Sequence, residues 1–250
     1  MIARAHDAPV HTCKTDPTST YLASGSADGV VKVWDILRGH VTHVFKGHGG
    51  VVSTLAFNYP RDPSSVVAEQ KMQLITASVD TRIRIFDLSA AVSRSAGAFK
   101  PEAVLEGHVS VPRGLDVTPD GRWLISGGRD SVVLIWDLLS KQPVEETKRI
   151  KGKRKPSEFC PTLAKTIPVL ERVEALGFIN EILPGSTSVP GAIQFYTGGE
   201  KGALKIWDGR EGAVMFKLDE GQTNISDDSG EQRQIMDAMY VCIACTPHID

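Results

Sequence analysis

The chain has 250 residues, 41% of them hydrophobic and 23% charged, with a net charge of −2 and an isoelectric point near 6.4. This composition is that of a globular protein and implies no global attraction to nucleic acid or membranes, so any such contact must come from a local patch. The N-terminus lacks the apolar core of a signal peptide, and no apolar run approaches the length that spans a membrane.

A pattern of short β-branched segments recurs along the chain, and each copy ends in an aromatic residue followed by aspartate. Residues 22–35 read LASGSADGVVKVWD, and residues 124–137 read LISGGRDSVVLIWD. Two further copies, 74–87 and 195–208, read LITASVDTRIRIFD and FYTGGEKGALKIWD. Alternating apolar residues bounded by Asp-Gly and Pro-Asp-Gly turns indicate β-strands joined by hairpins. In the first copy we expect four antiparallel strands, near residues 10–15, 20–25, 30–35 and 41–46.

The repeated sheets predict an all-β fold built from blades. A single four-stranded sheet cannot bury both of its faces, whereas several sheets arranged radially as a β-propeller can. We expect about four four-stranded blades plus the first strand of a fifth. The predicted blades occupy residues 6–47, 48–107, 108–148 and 169–218, and the next blade begins within 235–250.

A histidine precedes the turn aspartate of three copies at a regular distance. The separation is 22 residues in the first and third copies and 32 residues in the second. The excess in the second copy falls in the Pro/Ser-rich stretch NYPRDPSSVVAEQ, which indicates a loop insertion. The pairs are His6 with Asp28, His48 with Asp80, and His108 with Asp130.

These residues resemble the WD40 repeat, which combines a Gly-His dipeptide, a turn aspartate and a terminal Trp-Asp pair. The resemblance covers nearly the whole chain as four blades and implies a part of a seven-bladed propeller. Because seven blades of about 40 residues need roughly 280 residues, we expect the chain to be a fragment or an incomplete gene model. The residues that carry the resemblance are Gly47-His48, Gly107-His108, Asp28, Asp80, Asp130, Trp34-Asp35 and Trp136-Asp137.

The WD40 resemblance implies a hydrogen-bonded set in each of the first three blades. A Trp buried between blades needs an acceptor for its indole N–H, and a Ser or Thr hydroxyl would provide one. The His would link that hydroxyl to the turn Asp. Phe86 has no N–H, so we expect the second set to stop at Thr76, and Lys201 at the turn position predicts no such set in the fourth blade. The expected sets are His6, Ser24, Asp28 and Trp34; His48, Thr76 and Asp80; and His108, Ser126, Asp130 and Trp136.

Hydrolases also combine Ser, His and Asp, but here we predict no catalytic residue and no enzyme. The trio recurs in successive blades, whereas an enzyme needs one site, and the sequence has no GxSxG nucleophile elbow. Four cysteines without a secretory signal fit a reducing compartment, and Cys242 and Cys245 lack the second ligand pair that zinc needs. We therefore predict no metal, no cofactor and no small-molecule substrate.

Two charged stretches are candidates for contact with partners. Residues 148–160, placed on the connection from the third blade to the fourth, contain the basic run KRIKGKRK. Such a run is typical of a nuclear import signal or a phosphate contact, and equally of a solvated loop. Residues 219–234 are acidic and rich in Ser and Gly, which is typical of a flexible loop. The basic residues are Lys148, Arg149, Lys151, Lys153, Arg154 and Lys155.

Several segments resemble one WD40 family in particular, the transducin-β-like-three family, which is the tandem-propeller subunit of the UTP-B complex in the small-subunit processome. The segments are RGHVTHVFKGHGGVV, SGGRDSVVLIWDL and FYTGGEKGALKIWD with its non-acidic turn position. The resemblance implies a scaffold in the nucleolus that acts in early 18S pre-rRNA processing with a box C/D small nucleolar ribonucleoprotein. Its partners would be other UTP-B subunits and processome proteins, with no membrane contact, and the basic run is a candidate contact for pre-rRNA or small nucleolar RNA.

A second interpretation rests on WDGR at residues 207–210, which fits the WDxR box of WD40 substrate receptors in cullin–RING ubiquitin ligases. That box normally lies in a regular blade, whereas this blade has Lys201 at its turn position. The two interpretations differ in partner, and substitution of Arg210 separates them because only the receptor interpretation predicts lost binding.

Overall fold

The computed structural model describes residues 5–59, 71–88, 100–139, 160–179 and 193–218. Within these residues the chain forms four four-stranded antiparallel sheets, and the strands of each sheet pair in chain order. No helix in the described residues is long and apolar enough to cross a membrane.

Each sheet is one blade. The first contains β1 (Val10–Thr15), β2 (Tyr21–Ser26), β3 (Val31–Asp35) and β4 (His40–Phe45). The second contains β5 (Val52–Asn58), β6 (Gln73–Ser78), β7 (Ile83–Asp87) and β8 (Ala103–Leu105). The third contains β9 (Pro112–Val117), β10 (Trp123–Gly128), β11 (Val132–Asp137) and β12 (Thr162–Pro168). The fourth contains β13 (Val173–Phe178), β14 (Gln194–Gly199), β15 (Leu204–Asp208) and β16 (Ala213–Leu218).

The blades pack side by side, with the first strand of each blade innermost. Strands β1, β5, β9 and β13 contact one another in succession, as expected for sheets arranged around a common axis. The four strands predicted in the first copy are confirmed to within a residue or so at their ends. The predicted all-β blade architecture is thus confirmed, while the expected opening strand within 235–250 lies outside the described residues.

Apolar clusters fill the seams between neighbouring blades. At the seam of the first two blades, the rings of Phe45 and Phe86 stack with their centroids 4.3 Å apart. The central strands are buried on both faces because a blade lies on either side of them, and all six residues of β6 are buried. This double burial explains why those strands read as nearly continuous apolar runs in the sequence.

The predicted boundary of the third blade at residue 148 is wrong. Its outer strand is β12, Thr162–Pro168, which pairs with β11 after the basic run. The basic run therefore lies between two strands of the third blade, not on the connection to the fourth. Strand β12 is at the sheet edge and only Ile167 of its residues is fully buried, so it lacks the apolar pattern that would have revealed it.

The meander divides the connections between two faces. In each blade, the connections from the first to the second strand and from the third to the fourth strand open on one face, which we call the insertion face. The turns from the second to the third strand and the connections between blades open on the opposite face. We call this the histidine face because it contains His6, His48 and His108. All four long stretches between consecutive strands of a blade begin and end at the insertion face: 60–70, 89–99, 140–159 and 180–192.

The close packing of neighbouring blades at one glycine can be tested against a second glycine that has more space. Gly127 and Gly198 each follow the hydroxyl residue of their blade by one position. A Cβ at Gly127 would lie 2.9 Å from Val173 Cγ1 and nearer still to Leu176, whereas a Cβ at Gly198 would have no neighbour closer than 3.5 Å. Gly127→Ala is expected to lower the free energy of unfolding by about 1–3 kcal/mol through overpacking.

Gly198→Ala is the matched control, and we expect it to be neutral or slightly stabilising because alanine restricts the unfolded chain more than glycine. Urea denaturation followed by intrinsic tryptophan fluorescence measures both variants. Similar losses for the two substitutions would contradict the seam geometry.

Candidate functional site

The third blade contains the complete hydrogen-bonded set. Trp136 Nε1 donates to Ser126 Oγ at 3.0 Å, and the Ser126 hydroxyl donates to His108 Nε2 at 2.8 Å. The neutral imidazole has its proton on Nδ1, because the facing Asp130 carboxylate can only accept, and Nε2 therefore accepts the serine proton. Nδ1 donates to Asp130 Oδ2 at 2.8 Å, and both of these side chains are 1% exposed. Burial lowers the pKa of His108, although Asp130 acts in the opposite direction.

The first blade has the same set, but its last contact, between the histidine and the turn aspartate, is longer. Trp34 Nε1 donates to Ser24 Oγ at 2.9 Å, and Ser24 lies 2.8 Å from His6 Nε2. His6 Nδ1 and Asp28 Oδ2 are 3.6 Å apart, which is an ion-pair distance and not a hydrogen bond. Asp28 instead accepts from the Val30 N–H at 2.8 Å and so stabilises its own turn. The pKa of His6 is lowered by burial, against the effect of Asp28.

The second blade has the opposite imidazole tautomer because of Arg84. Arg84 Nη1 donates to His48 Nδ1 at 2.6 Å and to Asp80 Oδ2 at 2.8 Å. His48 must then carry its proton on Nε2 and donate to Thr76 Oγ1 at 2.7 Å. Thr76 accepts this proton and donates its own to the Arg84 carbonyl at 3.4 Å. Burial and the Arg84 charge lower the pKa of His48 to about 4, which keeps the ring neutral.

The fourth blade has an ion pair where the other blades have the histidine. Trp207 Nε1 donates to Thr197 Oγ1 at 2.9 Å, but Lys201 occupies the turn position. The Lys205 ammonium contacts the Glu171 carboxylate, and these side chains are 14% and 5% exposed. Glu171 lies just before the innermost strand and Lys205 lies on the third strand, two residues before the tryptophan. The buried ion pair therefore ties down the same segment as the histidine elsewhere, but to the third strand instead of the second.

The structure therefore brings each expected set together and adds residues that the repeat pattern missed. Arg84 and Lys205 occupy equivalent positions, two residues before the aromatic residue, and Lys32 occupies that position in the first blade. Lys32 Nζ donates to the Ala5 carbonyl at 2.6 Å, which again ties the third strand to the segment before the first. A cation at this position is a signal that could have indicated the extra contacts.

The aspartates of the Trp-Asp pairs stabilise turns on the insertion face. Asp35 Oδ1 accepts from the Arg38 N–H at 2.9 Å, and Asp137 Oδ1 accepts from the Leu139 N–H at 2.9 Å. Asp208 Oδ1 accepts in the same way from the Arg210 N–H at 2.7 Å, so the exposed Arg210 lies on a capped turn of the insertion face. Turn capping accounts for these aspartates without any chemistry.

A cavity of about 210 Å³ opens on the insertion face between the ends of β1, β5 and β9. Lys14, Tyr59 and Asp116 are among its lining residues. Asp116 accepts the Val117 N–H at 2.9 Å and, across the seam to the fourth blade, the Phe178 N–H at 2.7 Å. Burial raises the pKa of Asp116, but both of its oxygens already bind backbone groups, so its contacts are those of a seam residue.

The chemistry of the described residues is that of a framework. The Ser or Thr residue of every set is at most 5% exposed, so a substrate has no access to its hydroxyl. No group of three His, Cys, Asp or Glu side chains among the residues described could hold a metal ion. The candidate basic residues Lys148, Arg149, Lys151, Lys153, Arg154 and Lys155, like the acidic stretch 219–234, lie outside the described residues.

Comparison with known proteins agrees with this geometry. The model of the WD domain, G-beta repeat, matches residues 2–35, 39–87 and 99–137. The chain thus carries WD40 repeats, and its sheets are the blades of such repeats.

Among curated proteins, the chain is 36% identical over 211 residues to transducin beta-like protein 3 of Bos taurus and 35% identical over 213 residues to that of Homo sapiens. It is 33% identical over 213 residues to U3 small nucleolar RNA-associated protein 13 of Saccharomyces cerevisiae. These matches cover 83–84% of this chain and 21–22% of each relative, so the chain spans about a fifth of their length.

The two aspartate geometries predict unequal effects on stability. Asp130→Ala is expected to lower the free energy of unfolding by about 1–3 kcal/mol, because it leaves the buried His108 Nδ1–H without an acceptor. Asp28→Ala should cost less, since His6 is already 3.6 Å from that carboxylate. Urea denaturation compares the two variants, and an equal or larger loss for Asp28→Ala would contradict the assignment.

The tautomer in the second blade predicts energetic coupling between Arg84 and Phe86. Phe86→Trp alone places an indole N–H at Thr76 Oγ1, which already accepts from His48. Arg84→Leu frees His48 to adopt the tautomer of the third blade, where Leu134 and Trp136 occupy these positions. A double-mutant cycle should therefore show a favourable coupling of about 0.5–3 kcal/mol.

Arg84→Lys is the matched partner substitution in that cycle, because lysine keeps a cationic donor near His48. Combined with Phe86→Trp it should give little or no coupling. Equal coupling with Leu and Lys would show that side-chain volume, and not the imidazole tautomer, links the two positions.

Proposed function

We propose that the chain is a non-catalytic WD40 scaffold in ribosome biogenesis. More specifically, it is a UTP-B-type subunit of the small-subunit processome in the nucleolus, where it acts in early 18S pre-rRNA processing with a box C/D small nucleolar ribonucleoprotein. The observation that carries the proposal is the 33% identity over 213 residues to a protein named for its association with U3 small nucleolar RNA. The similar match to transducin beta-like protein 3 supports the same assignment.

The geometry of the blades supports a scaffold in preference to an enzyme. The polar side chains that resemble a catalytic trio are buried and hydrogen-bonded to one another in three successive blades. Such networks stabilise one arrangement of turns, and rigid turns are suited to holding several partners in fixed positions. Protein partners, namely other UTP-B subunits and processome proteins, are therefore the first expectation.

RNA contact is proposed for the basic run between β11 and β12. Both ends of this stretch, after Leu139 and before Cys160, lie at the insertion face of the third blade. Six Lys and Arg residues within eight positions are suited to bind phosphates, and the binding would weaken steeply with salt. The same residues would serve as a nuclear import signal, so the two roles must be separated experimentally.

Replacement of the six basic residues with Gln is expected to reduce recovery of pre-rRNA and U3 RNA with the tagged protein, while recovery of UTP-B proteins stays unchanged. A foreign nuclear import signal fused to every variant removes the effect of import. Replacement of Asp219, Glu220, Asp227 and Asp228 by their amides is the matched control, since it changes a charged stretch of opposite sign. Undiminished RNA recovery from the Gln variant would contradict the RNA contact.

Affinity purification from growing cells tests the proposal as a whole. Ultraviolet crosslinking in native particles, read at Lys148, Lys151, Lys153 and Lys155, shows whether RNA is touched. Recovery of a cullin–RING adaptor instead of processome proteins, lost on Arg210→Ala, would replace the proposal with the ligase-receptor alternative. Arg210 is exposed on the insertion face, so this substitution is expected to leave folding intact.

A further inference from the structure

The loop before the fourth blade holds a large aliphatic side chain in solvent. Leu170 is 88% exposed, and its φ of 65° lies in the left-handed region that bulky L-residues rarely adopt. Glycine would adopt this conformation without steric cost, and a polar residue would suit the exposure better. A residue that is unfavourable on both counts indicates a role outside the folding of this loop.

The residues on both sides hold Leu170 in place. Val169 is 2% exposed, and its N–H donates to the Ser131 carbonyl of the third blade at 2.9 Å. The Lys205 ammonium, which contacts Glu171, also donates to the Val169 carbonyl at 3.4 Å. The loop is therefore anchored by a buried ion pair and by a neighbouring blade, and the leucine side chain is presented in one direction.

A second aliphatic residue is presented in the same way on the third blade. Val109 is 87% exposed and lies three residues before β9, as Leu170 lies three residues before β13. Asp130 accepts the Val109 N–H at 3.1 Å, and the next residue, Ser131, binds Val169. The two loops thus contact adjacent residues of one turn, Asp130 and Ser131, on the histidine face.

The charges around these two loops are predominantly positive. Arg113 and Arg129 share the Glu174 carboxylate, at 3.0 and 3.4 Å. Arg172 pairs with Glu200 at 3.3 Å, and Lys201 is exposed on the adjacent turn. Four cations thus surround two carboxylates. Glu171 and Asp130 are buried against Lys205 and His108, and the exposed Glu106 in the loop of Val109 pairs with Arg82 at 3.0 Å.

We propose that this Leu170 surface, made of Val109, Leu170, Arg113, Arg129, Arg172 and Lys201, docks an extended protein segment that carries an aliphatic side chain flanked by aspartate or glutamate. Exposed aliphatic anchors within a charged rim are the anatomy of a protein interface. A protein segment is favoured over single-stranded nucleic acid because exposed aliphatic side chains pack against an aliphatic residue, whereas bases stack on aromatic rings, and none of the six residues of this surface is aromatic. The inference depends on the surface alone, so its failure would leave the proposed role in ribosome biogenesis standing.

Site-specific photocrosslinking in the full chain in cells identifies the occupant. p-Benzoylphenylalanine placed at 170 is expected to crosslink to a protein segment with an aliphatic residue among acidic ones. The same probe at Leu37, which is 92% exposed on the opposite face, is the matched control. Crosslinks to RNA, to a basic segment, to residues 219–234 of this chain, or to the same partner from both positions would overturn the proposal, as would no crosslink at 170.

A synthetic peptide with the sequence identified by crosslinking is then titrated against the purified protein, which separates an effect on docking from an effect on folding. Leu170→Gly is expected to weaken binding about tenfold, as loss of an interface anchor does, while the melting temperature stays unchanged or rises. Lys201→Glu should also weaken binding, and Leu37→Gly should have no effect. A fall in melting temperature that accounts for the lost binding of Leu170→Gly would show a structural role and overturn the proposal.

Discussion

The tryptophan indole of the third strand is the constraint around which three of the four blades are organised. Its N–H needs an acceptor, and a residue on the neighbouring strand provides one. A Ser or Thr hydroxyl accepts it, and the same hydroxyl contacts the imidazole. The group that faces Nδ1 fixes which imidazole nitrogen is protonated, and in the third blade this group is the turn aspartate Asp130. In the second blade the aromatic residue is Phe86, and the imidazole adopts the other tautomer with Arg84 as its partner.

The location of the hydrogen-bonded sets also accounts for where the chain tolerates extra length. A histidine and its aspartate lie on two short connections of the histidine face, so an insertion in either connection would separate them. The aspartates of the Trp-Asp pairs on the insertion face cap their own turns, and lengthening a loop costs little entropy, about 0.6 kcal/mol for each doubling. All four long stretches within blades accordingly join strands at the insertion face. The contacts between histidine and aspartate thus explain why the long stretches lie on the insertion face.

Much of the fold was predictable because the same sequence pattern recurs in successive blades. Alternation, turn residues and the spacing of His and Asp predicted the strands of the first blade and the members of three hydrogen-bonded sets. Edge strand β12 was missed because solvent covers most of its residues and leaves no apolar period. Arg84 and the Glu171–Lys205 pair were missed for another reason. The cation two residues before the aromatic residue recurs in three blades, but its partner differs in each blade and shows only when the fold brings the two together.

The fourth blade has lost the histidine and the turn aspartate, and a buried ion pair takes their place. Such a pair is seldom more stabilising than apolar packing, but its geometry is demanding, so it fixes the groups it joins. Here it fixes the segment before β13, the same segment that a histidine fixes in the other blades. The histidine arrangement needs an acid at the turn position, whereas the Glu171–Lys205 contact does not involve that position. The turn position of the fourth blade is then free to be Lys201. Replacing one buried polar connection with another therefore reverses the charge of the exposed turn while the segment before the first strand stays fixed.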